Sequence, residues 1–265
     1  MSVFQADILA GHVAIITGGG SGICKGIARA YLAHGAKVVI CGRKQERLDR
    51  AVAELTEETG GEILGISTDV RHPEQIERLV QGTLERFGKL DTLINGAAGN
   101  FLAPAAGLSP KGFRTVIEID LLGSFQVARA CFDALHASGE GLVVNISATL
   151  HYHGTPMQIH ASAAKAGVDA MTRNLAVEWG PLGIRSNAIA PGAIDDTEGM
   201  RKLAPGGLRE AFIKHIPLRR YGKIEEIANM ALFLRSRAAA YITGAILVVD
   251  GGHCVVAPGT SDLMS

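Results

Sequence analysis

The sequence is poor in cysteine and has no excess of charge, and each shortage excludes a class of protein. Its four cysteines, Cys24, Cys41, Cys131 and Cys254, are scattered along 265 residues. They form neither a metal-like cluster nor a disulfide framework, so a reduced, intracellular setting fits best. The 26 basic and 26 acidic side chains cancel to zero net charge. We therefore expect no nucleic-acid partner.

Long apolar runs are also missing. No run reaches the roughly 18 residues that a membrane-spanning helix requires, so we expect no membrane partner. The first residues lack the charged-then-apolar pattern of a signal peptide. The last four, Asp262–Ser265, are not the Ser-Lys-Leu peroxisomal signal. These features predict a cytoplasmic location, with the peroxisome as the alternative.

The sequence does contain a regular alternation of strands and helices. Short β-rich runs alternate with longer runs of helical periodicity, and about seven strands can be counted. The strands are continuously apolar, which indicates a parallel sheet covered by helices on both faces. We predict a single Rossmann-type, doubly wound α/β domain over residues 1–265. The predicted strands are His12–Ile16, Lys37–Cys41, Ile63–Ser67, Asp91–Ile94, Leu142–Ile146, Ile184–Ala190 and Ala245–Val249.

One helix and one irregular segment carry specific expectations. Pro73 is predicted to begin a helix, because the first helical position needs no N–H. The buried stripe of that helix would consist of Ile76, Leu79, Val80, Leu84 and Phe87. Residues 195–217 interrupt the alternation with glycine, proline and charged residues. We predict that this segment crosses over the ligand cleft.

A glycine-rich turn follows the first predicted strand and precedes a helix. Backbone N–H groups in such a turn can approach a diphosphate, and the helix dipole favours the negative charge. We therefore predict nucleotide binding in the N-terminal half, with a purely structural turn as the weaker alternative. The predicted contact residues are Thr17, Gly18, Gly19, Gly20, Ser21, Gly22 and Ile23.

Basic residues follow the second predicted strand, where an acid would accept a hydrogen bond from the ribose of NAD. Arg43 stands there, with Lys44 and Arg47 nearby. A guanidinium can pair with a 2′-phosphate through two hydrogen bonds. The sequence therefore predicts NADP(H) in preference to NAD. The alternative is a solvated, basic helix start.

These features resemble the short-chain dehydrogenase/reductase family over about residues 8–252. The turn is similar to the family fingerprint Thr-Gly-x-x-x-Gly-x-Gly, with Cys24 in place of the last glycine. The resemblance implies that residues after the later strands contact the adenine, ribose and nicotinamide. These implied contacts are Asp69, Val70, Asn95, Ala97, Lys165, Pro191, Gly192, Ala193, Ile194 and Thr197.

The proton donor usual in that family is missing. Most members reduce carbonyls with a serine, a tyrosine and a lysine. Lys165 is present here, but the tyrosine and serine positions hold Ala161 and Ala148. The family's helix asparagine is replaced by Asp120, which could position a water together with Lys165. Either the protein has lost activity and kept the cofactor fold, or it reduces something that needs no tyrosine there.

This combination resembles the peroxisomal-type 2,4-dienoyl-CoA reductases, through Asn95–Leu102, Asp120, Asn145–Leu150 and Thr197–Gly199. The resemblance implies hydride transfer from NADPH to C5 of an acyl-CoA substrate, a dienolate stabilised at its thioester oxygen, and protonation at C2. No alkoxide forms, so the missing tyrosine agrees with this reaction. The same resemblance implies a homotetramer. It also assigns catalytic roles to Asp120 and Lys165, and substrate contacts to Arg43, Arg71, Asn100, Phe101 and Lys202.

Several alternatives stay open. Tyr152 could donate the proton in place of the water. His151, His153 and His160 are close in sequence, but their spacing fits no helix face, and we expect no metal site. The alternative functions are a reductase of another acyl-CoA or carbonyl compound, and a catalytically silent NADP-binding protein.

Overall fold

Seven parallel strands form one sheet in a computed structural model that describes residues 3–195 and 208–256. The strands are β1 (Val13–Thr17), β2 (Lys37–Gly42), β3 (Ile63–Ser67), β4 (Thr92–Asn95), β5 (Gly141–Ile146), β6 (Ile184–Pro191) and β7 (Ile246–Val249). Their order in the sheet is β3-β2-β1-β4-β5-β6-β7. The order reverses between β1 and β4, which is where ligands bind in sheets of this type.

Successive strand residues enter two separate cores, one on each face of the sheet. The helices are α1 (Gly22–Ala33), α2 (Gln45–Thr59), α3 (Pro73–Phe87), α4 (Pro110–Ile117), α5 (Gly123–Ala137), α6 (Ile159–Trp179), α7 (Leu208–His215) and α8 (Ile224–Arg235). Ile16 and Ile40 pack on one face against α1, α2 and α8, whereas Ile15 and Val39 pack on the other against α3, α5 and α6. This arrangement confirms the predicted two-sided α/β architecture.

The predicted stripe of α3 is wrong at one position. Ile76 and Leu79 are fully buried, but Leu84 is 37% exposed. Thr83 takes the buried place, and its hydroxyl donates to the Leu79 carbonyl at 2.8 Å. A threonine that satisfies its hydroxyl in this way can enter an apolar core, so the hydrophobic pattern alone selects the wrong neighbour.

A π-helical turn, Glu118–Leu122, joins α4 to α5. The turn is wider than that of an α-helix, because the Gly123 N–H bonds to the Glu118 carbonyl five residues earlier. Such turns are rare and occur frequently at functional sites. Here the buried residue of the turn is Asp120. The sequence pattern gave no indication of this irregularity.

Candidate active site

A cavity of about 800 Å³ opens where the strand order reverses, at the carboxyl ends of the strands. It brings together most of the residues predicted to bind cofactor or substrate, from the carboxyl ends of five strands and from two helical segments. The predicted residues that line it are Gly18, Gly20, Ser21, Gly22, Ile23, Arg43, Lys44, Arg47, Asp69, Val70, Ala97, Asn100, Asp120, Lys165, Pro191, Gly192 and Ala193.

The turn before α1 has the geometry that a diphosphate requires. Gly18 has a φ of +72°, and a Cβ there would lie 2.8 Å from the Gly96 carbonyl oxygen. At Gly22 a Cβ would meet nothing within 4 Å, so the space before the helix is open. Within the described chain, the Ser21 side chain makes no capping hydrogen bond, and the first turn has no acid. The N-terminal N–H groups of α1 therefore suit a phosphate.

Cys24 stands in place of the family's glycine without filling the space for the diphosphate. A Cβ at Gly96 would lie only 2.1 Å from the Cys24 sulfur, so the sulfur occupies the space beside a residue without a side chain. Burial raises the pKa of the Cys24 thiol to about 12. The residue is thus a neutral packing group.

Four of the predicted cofactor residues that the structure describes are not among those that line the cavity. The Thr17 hydroxyl accepts from the N–H groups of Gly96 (2.9 Å) and Ala97 (3.0 Å). A Cβ at Gly19 would lie 2.5 Å from Ile40 Cγ2, so this glycine allows close packing. The amide of buried Asn95 donates to the Ser124 carbonyl and to the Asn145 side chain, and Ile194 is also buried. The structure places Thr17, Gly19, Asn95 and Ile194 where they shape the backbone that lines the cleft.

Asp69 and Arg71 form a two-pronged ion pair. The Arg71 Nε and Nη2 atoms lie 2.9 Å and 2.5 Å from the two Asp69 carboxylate oxygens. These hydrogen bonds lower the pKa of the Asp69 carboxyl. Asp69 lines the cavity, and Arg71 is not among the lining residues. The Arg71 guanidinium is thus held by Asp69, and its contact with substrate stays a prediction.

Asp120 and Lys165 meet on the cavity floor. Asp120 is 1% exposed; one carboxylate oxygen accepts from the Gly99 N–H at 2.7 Å, and the other lies 3.4 Å from Lys165 Nζ. Lys165 Nζ also donates to the Ile146 carbonyl at 2.9 Å. Burial raises the pKa of Asp120, and the nearby Lys165 charge opposes that rise. The carboxyl can therefore hold a proton at a higher pH than a solvated aspartate.

The two alanines at the usual catalytic positions line the same floor as this pair. Ala148 follows β5 and Ala161 lies in the first turn of α6. Neither side chain can donate a proton. Asp120 and Lys165 are therefore the ionisable pair at the position where the sequence predicts chemistry.

The predicted substrate side is only partly at the cavity surface. Asn100 lines it and donates to the buried Gln158 side chain at 2.6 Å. Phe101 is half exposed and packs on the His160 ring, with 4.4 Å between centroids. Phe101 is not among the lining residues. The predicted contacts Thr197 and Lys202 lie outside the described residues, as does most of the predicted cleft-covering segment.

The other candidate residues contact partners away from the Asp120–Lys165 pair. The Tyr152 hydroxyl lies 3.5 Å from an Asp169 oxygen, and burial and Asp169 raise its pKa to about 12. His151 bonds to Asp169, His153 faces His253, and His160 faces Phe101. No group of three metal-ligating side chains is arranged around an ion site in the part of the chain that the structure describes. No helix there is long and apolar enough to cross a membrane.

Several lining residues were missed by the sequence analysis. Gln158 holds Asn100, while Phe212 and Ile216 extend the wall from α7 and the residue after it. The last two fall inside the predicted segment 195–217, whose composition was the only signal for them. His253 reaches the cavity from the turn after β7, and no motif marked it.

Comparison with known proteins places the whole chain in a well-populated group. Residues 18–253 match the family model described as enoyl-(acyl carrier protein) reductase. The peroxisomal 2,4-dienoyl-CoA reductase of Danio rerio, named as (3E)-enoyl-CoA-producing, is 49% identical over 251 residues, covering 94% of this chain and 84% of the relative. The Saccharomyces cerevisiae protein of the same name is 48% identical over 252 residues, with 94% and 86% coverage.

A bacterial relative and two solved structures extend the likeness. The Bacillus subtilis "Probable 2,4-dienoyl-CoA reductase", named as (2E)-enoyl-CoA-producing, is 41% identical, with 90% of this chain and 95% of the relative covered. A short chain dehydrogenase from Bacillus anthracis superimposes with a TM-score of 0.84 at 43% identity, covering 94% of this chain and 98% of the other. Levodione reductase gives 0.89 at 35% identity, with 94% and 100% covered.

Proposed function

The chain belongs to the short-chain dehydrogenase/reductase family, and on that premise we propose that it reduces a 2,4-dienoyl-CoA to a 3-enoyl-CoA with NADPH. The reaction would serve β-oxidation of unsaturated fatty acids. The observation that carries this proposal is the Asp120–Lys165 pair, 3.4 Å apart, on a floor where Ala148 and Ala161 occupy the usual catalytic positions. The names of the relatives with 48–49% identity support the same reaction.

The residues around the cavity fit a nicotinamide dinucleotide. The open space at Gly22 and the uncapped start of α1 suit its diphosphate. Arg43, Lys44 and Arg47 line the adjoining wall, and the end of β2 carries no acid. This charge favours a 2′-phosphate, and hence NADP(H), over an unmodified ribose. When bound, NADPH supplies the hydride.

The protein's own residues would supply the proton and the orientation. Hydride addition at C5 moves the electron pair through the conjugated system to the thioester oxygen, and the resulting dienolate takes a proton at C2. Lys165 Nζ and Asp120 can together hold a water molecule. Because the pKa of Asp120 is raised, its carboxyl can carry a proton and pass it to the substrate through that water. The reaction forms no alkoxide, so no tyrosine is needed to protonate one.

Tyr152 is the less suitable proton donor. Its hydroxyl lies 3.5 Å from Asp169, its pKa is raised to about 12, and it is not among the residues that line the cavity. A donor with that pKa transfers a proton less readily near neutral pH than a buried carboxyl does.

The acyl chain would enter beside Asn100 and Phe101. Arg43 and Arg71 would meet substrate-side groups at the cleft, and Lys202 would face the phosphates of coenzyme A. Thr197 and Ile194 would complete the nicotinamide side, with residues 195–217 over the cleft. These roles come from the family resemblance and from the position of the cavity. Alanine substitution of each cation, with the KM for the acyl-CoA measured, tests them.

We also propose a homotetramer. Apolar side chains are exposed on the two helices that the family resemblance assigns to subunit contacts: Leu122 and Phe125 near the start of α5, and Ile159 and Val177 on α6. Light scattering of the purified protein measures the mass. For location, the cytoplasm remains the sequence-based proposal, and the names of the peroxisomal relatives support the alternative. Organelle fractionation distinguishes the two.

The direct test is NADPH oxidation with 2,4-hexadienoyl-CoA, followed by NMR of the product. A 3-enoyl-CoA is expected, with deuterium at C2 when the reaction runs in heavy water. A 2-enoyl-CoA, as in the name of the Bacillus relative, would show protonation at C4 and contradict the proposed proton position. NADPH binding without turnover would favour a different substrate or a silent binding protein.

A further inference from the structure

Helix α6 holds the end of β5 by three side-chain hydrogen bonds in a row. Lys165, Asp169 and Thr172 are spaced four and three residues apart, so they share one face of the helix. They bond to three consecutive residues of the strand end: Asn145 Nδ2 donates to Thr172 Oγ1 at 2.9 Å, Lys165 Nζ donates to the Ile146 carbonyl at 2.9 Å, and Ser147 Oγ donates to Asp169 Oδ1 at 2.5 Å.

Asp169 makes a second contact on the far side of the turn that follows β5. His151 Nε2 lies 2.7 Å from Asp169 Oδ2, and the Tyr152 hydroxyl lies 3.5 Å from the same oxygen. Asp169 is 3% exposed, and a buried carboxylate is costly unless such partners compensate it. One side chain on α6 therefore holds both ends of the segment 147–151.

The residues between those two anchors form part of the cleft. Ala148, Thr149 and Leu150 line the cavity, as does Ser147 itself. The Ser147 hydroxyl proton points to Asp169, which leaves the serine hydrogen-bonded as a donor to a carboxylate. The arrangement fixes backbone position, whereas a nucleophilic serine needs a base that removes its proton.

We propose that Asp169 is a positioning residue of the active site, which fixes the wall segment 147–151 relative to Lys165 through Ser147 and His151. The inference rests on the proposed function for its kinetic test. It assigns Asp169 no contact with substrate or cofactor. Lys165 and Asp169 lie one turn apart on α6, so the same helix sets the position of the floor and of this wall.

The experiment compares Asp169→Ala, Asp169→Asn and Glu178→Ala in the full chain. Asparagine keeps an acceptor for Ser147 and can donate to His151 in its other tautomer, whereas alanine removes both contacts. Glu178→Ala, an exposed acid on the same helix, is the matched control. Steady-state kinetics with 2,4-hexadienoyl-CoA, NADPH affinity and hydrogen exchange of residues 147–152 are measured for each.

We expect Asp169→Ala to lower kcat/KM for the acyl-CoA about tenfold to a hundredfold. NADPH affinity should stay within about twofold of the wild type. The rate of amide hydrogen exchange should rise at residues 147–152, which comprise the wall segment 147–151 and the residue after it. Asp169→Asn should recover most of the loss, and Glu178→Ala should match the wild type. A purely structural role would lower thermal stability while the folded fraction kept its KM and kcat; that result would overturn the proposal.

Two further outcomes are separable. If Asp169→Ala does not fold, His151→Ala removes only the outer anchor, whose side chain is partly exposed, and must still raise exchange in 147–152. If the wild type does not reduce 2,4-hexadienoyl-CoA, the proposed function fails. Hydrogen exchange then decides the positioning proposal alone: unchanged exchange in Asp169→Ala rejects it, and faster exchange confined to 147–152 supports it.

Discussion

Replacing Asp120 with asparagine should abolish most activity while leaving the fold intact. The amide oxygen can keep the 2.7 Å hydrogen bond from the Gly99 N–H. The amide nitrogen would then face Lys165 Nζ, now 3.4 Å from a carboxylate oxygen, and cannot carry a proton to a water. Loss of general acid–base catalysis typically costs about a hundredfold to ten-thousandfold, and we expect kcat to fall within that range.

The same substitution should also change how the unfolding free energy depends on pH. Burial raises the pKa of Asp120 above its ordinary 3.8, so the folded chain binds this proton more tightly than the unfolded chain. Its stabilising contribution is complete below pH 3.8 and is lost as the pH rises through the raised pKa. Asp120→Asn lacks this dependence. The unfolding free energy of the wild type, relative to the variant, should therefore decrease with rising pH.

The assays are stopped-flow hydride transfer for activity and denaturant unfolding at several pH values. Asp133→Asn is the matched control, because it makes the same change at an exposed position of α5 and should alter stability by less than about 0.5 kcal/mol. Unchanged kcat in Asp120→Asn would refute the catalytic role. If the unfolding free energy of the wild type, relative to that of Asp120→Asn, increased with rising pH, the burial argument would be refuted.

Substitutions at Arg43, Gly18 and Thr17 test the cofactor half, with Gly88→Ala and Thr17→Ser as controls. Arg43→Ala should weaken NADPH binding about tenfold to a hundredfold, because charged hydrogen bonds contribute about 1.5–3 kcal/mol, and leave NADH affinity unchanged in fluorescence titrations; equal losses for both would contradict the 2′-phosphate assignment. Gly18→Ala should destabilise the chain by more than the roughly 1–2 kcal/mol of its left-handed backbone, since a Cβ would also meet the Gly96 carbonyl at 2.8 Å. Gly88→Ala, at φ +77° with open space around it, should show only the backbone cost in thermal melts. Thr17→Val should leave two half-buried N–H groups unpaired and cost at most about 1–3 kcal/mol for each, whereas Thr17→Ser should stay near wild type.

The fold was largely predictable because its periodicity is strong and local. Ile63–Ser67 has the predicted bounds, and Val13–Thr17 differs from its prediction by one residue at each end. Thr83, buried in place of Leu84, shows the limit of a hydrophobic pattern. A polar side chain that bonds to its own helix can occupy a core position without leaving a signal in the composition.

The candidate site was predictable where a motif places residues in one turn, and less so where distant residues meet. Arg43 and most of the glycine-rich turn line the cavity, and their contact with a cofactor stays a prediction. Arg71 pairs with Asp69 in a two-pronged contact that a guanidinium readily makes with a carboxylate, and no motif indicated this pair. Asp169, 22 residues from Ser147, could be linked to it only by the packing of α6 on β5. The π turn that carries Asp120 had no sequence signal.

The most direct test of the proposed reaction mixes the purified protein with 2,4-hexadienoyl-CoA and follows the oxidation of NADPH, with NADH in a parallel reaction. We expect rapid turnover with NADPH, much slower turnover with NADH, and a 3-enoyl-CoA product that Asp120→Asn fails to form at an appreciable rate. Tight NADPH binding with no oxidation, or equal rates for both cofactors, would contradict it.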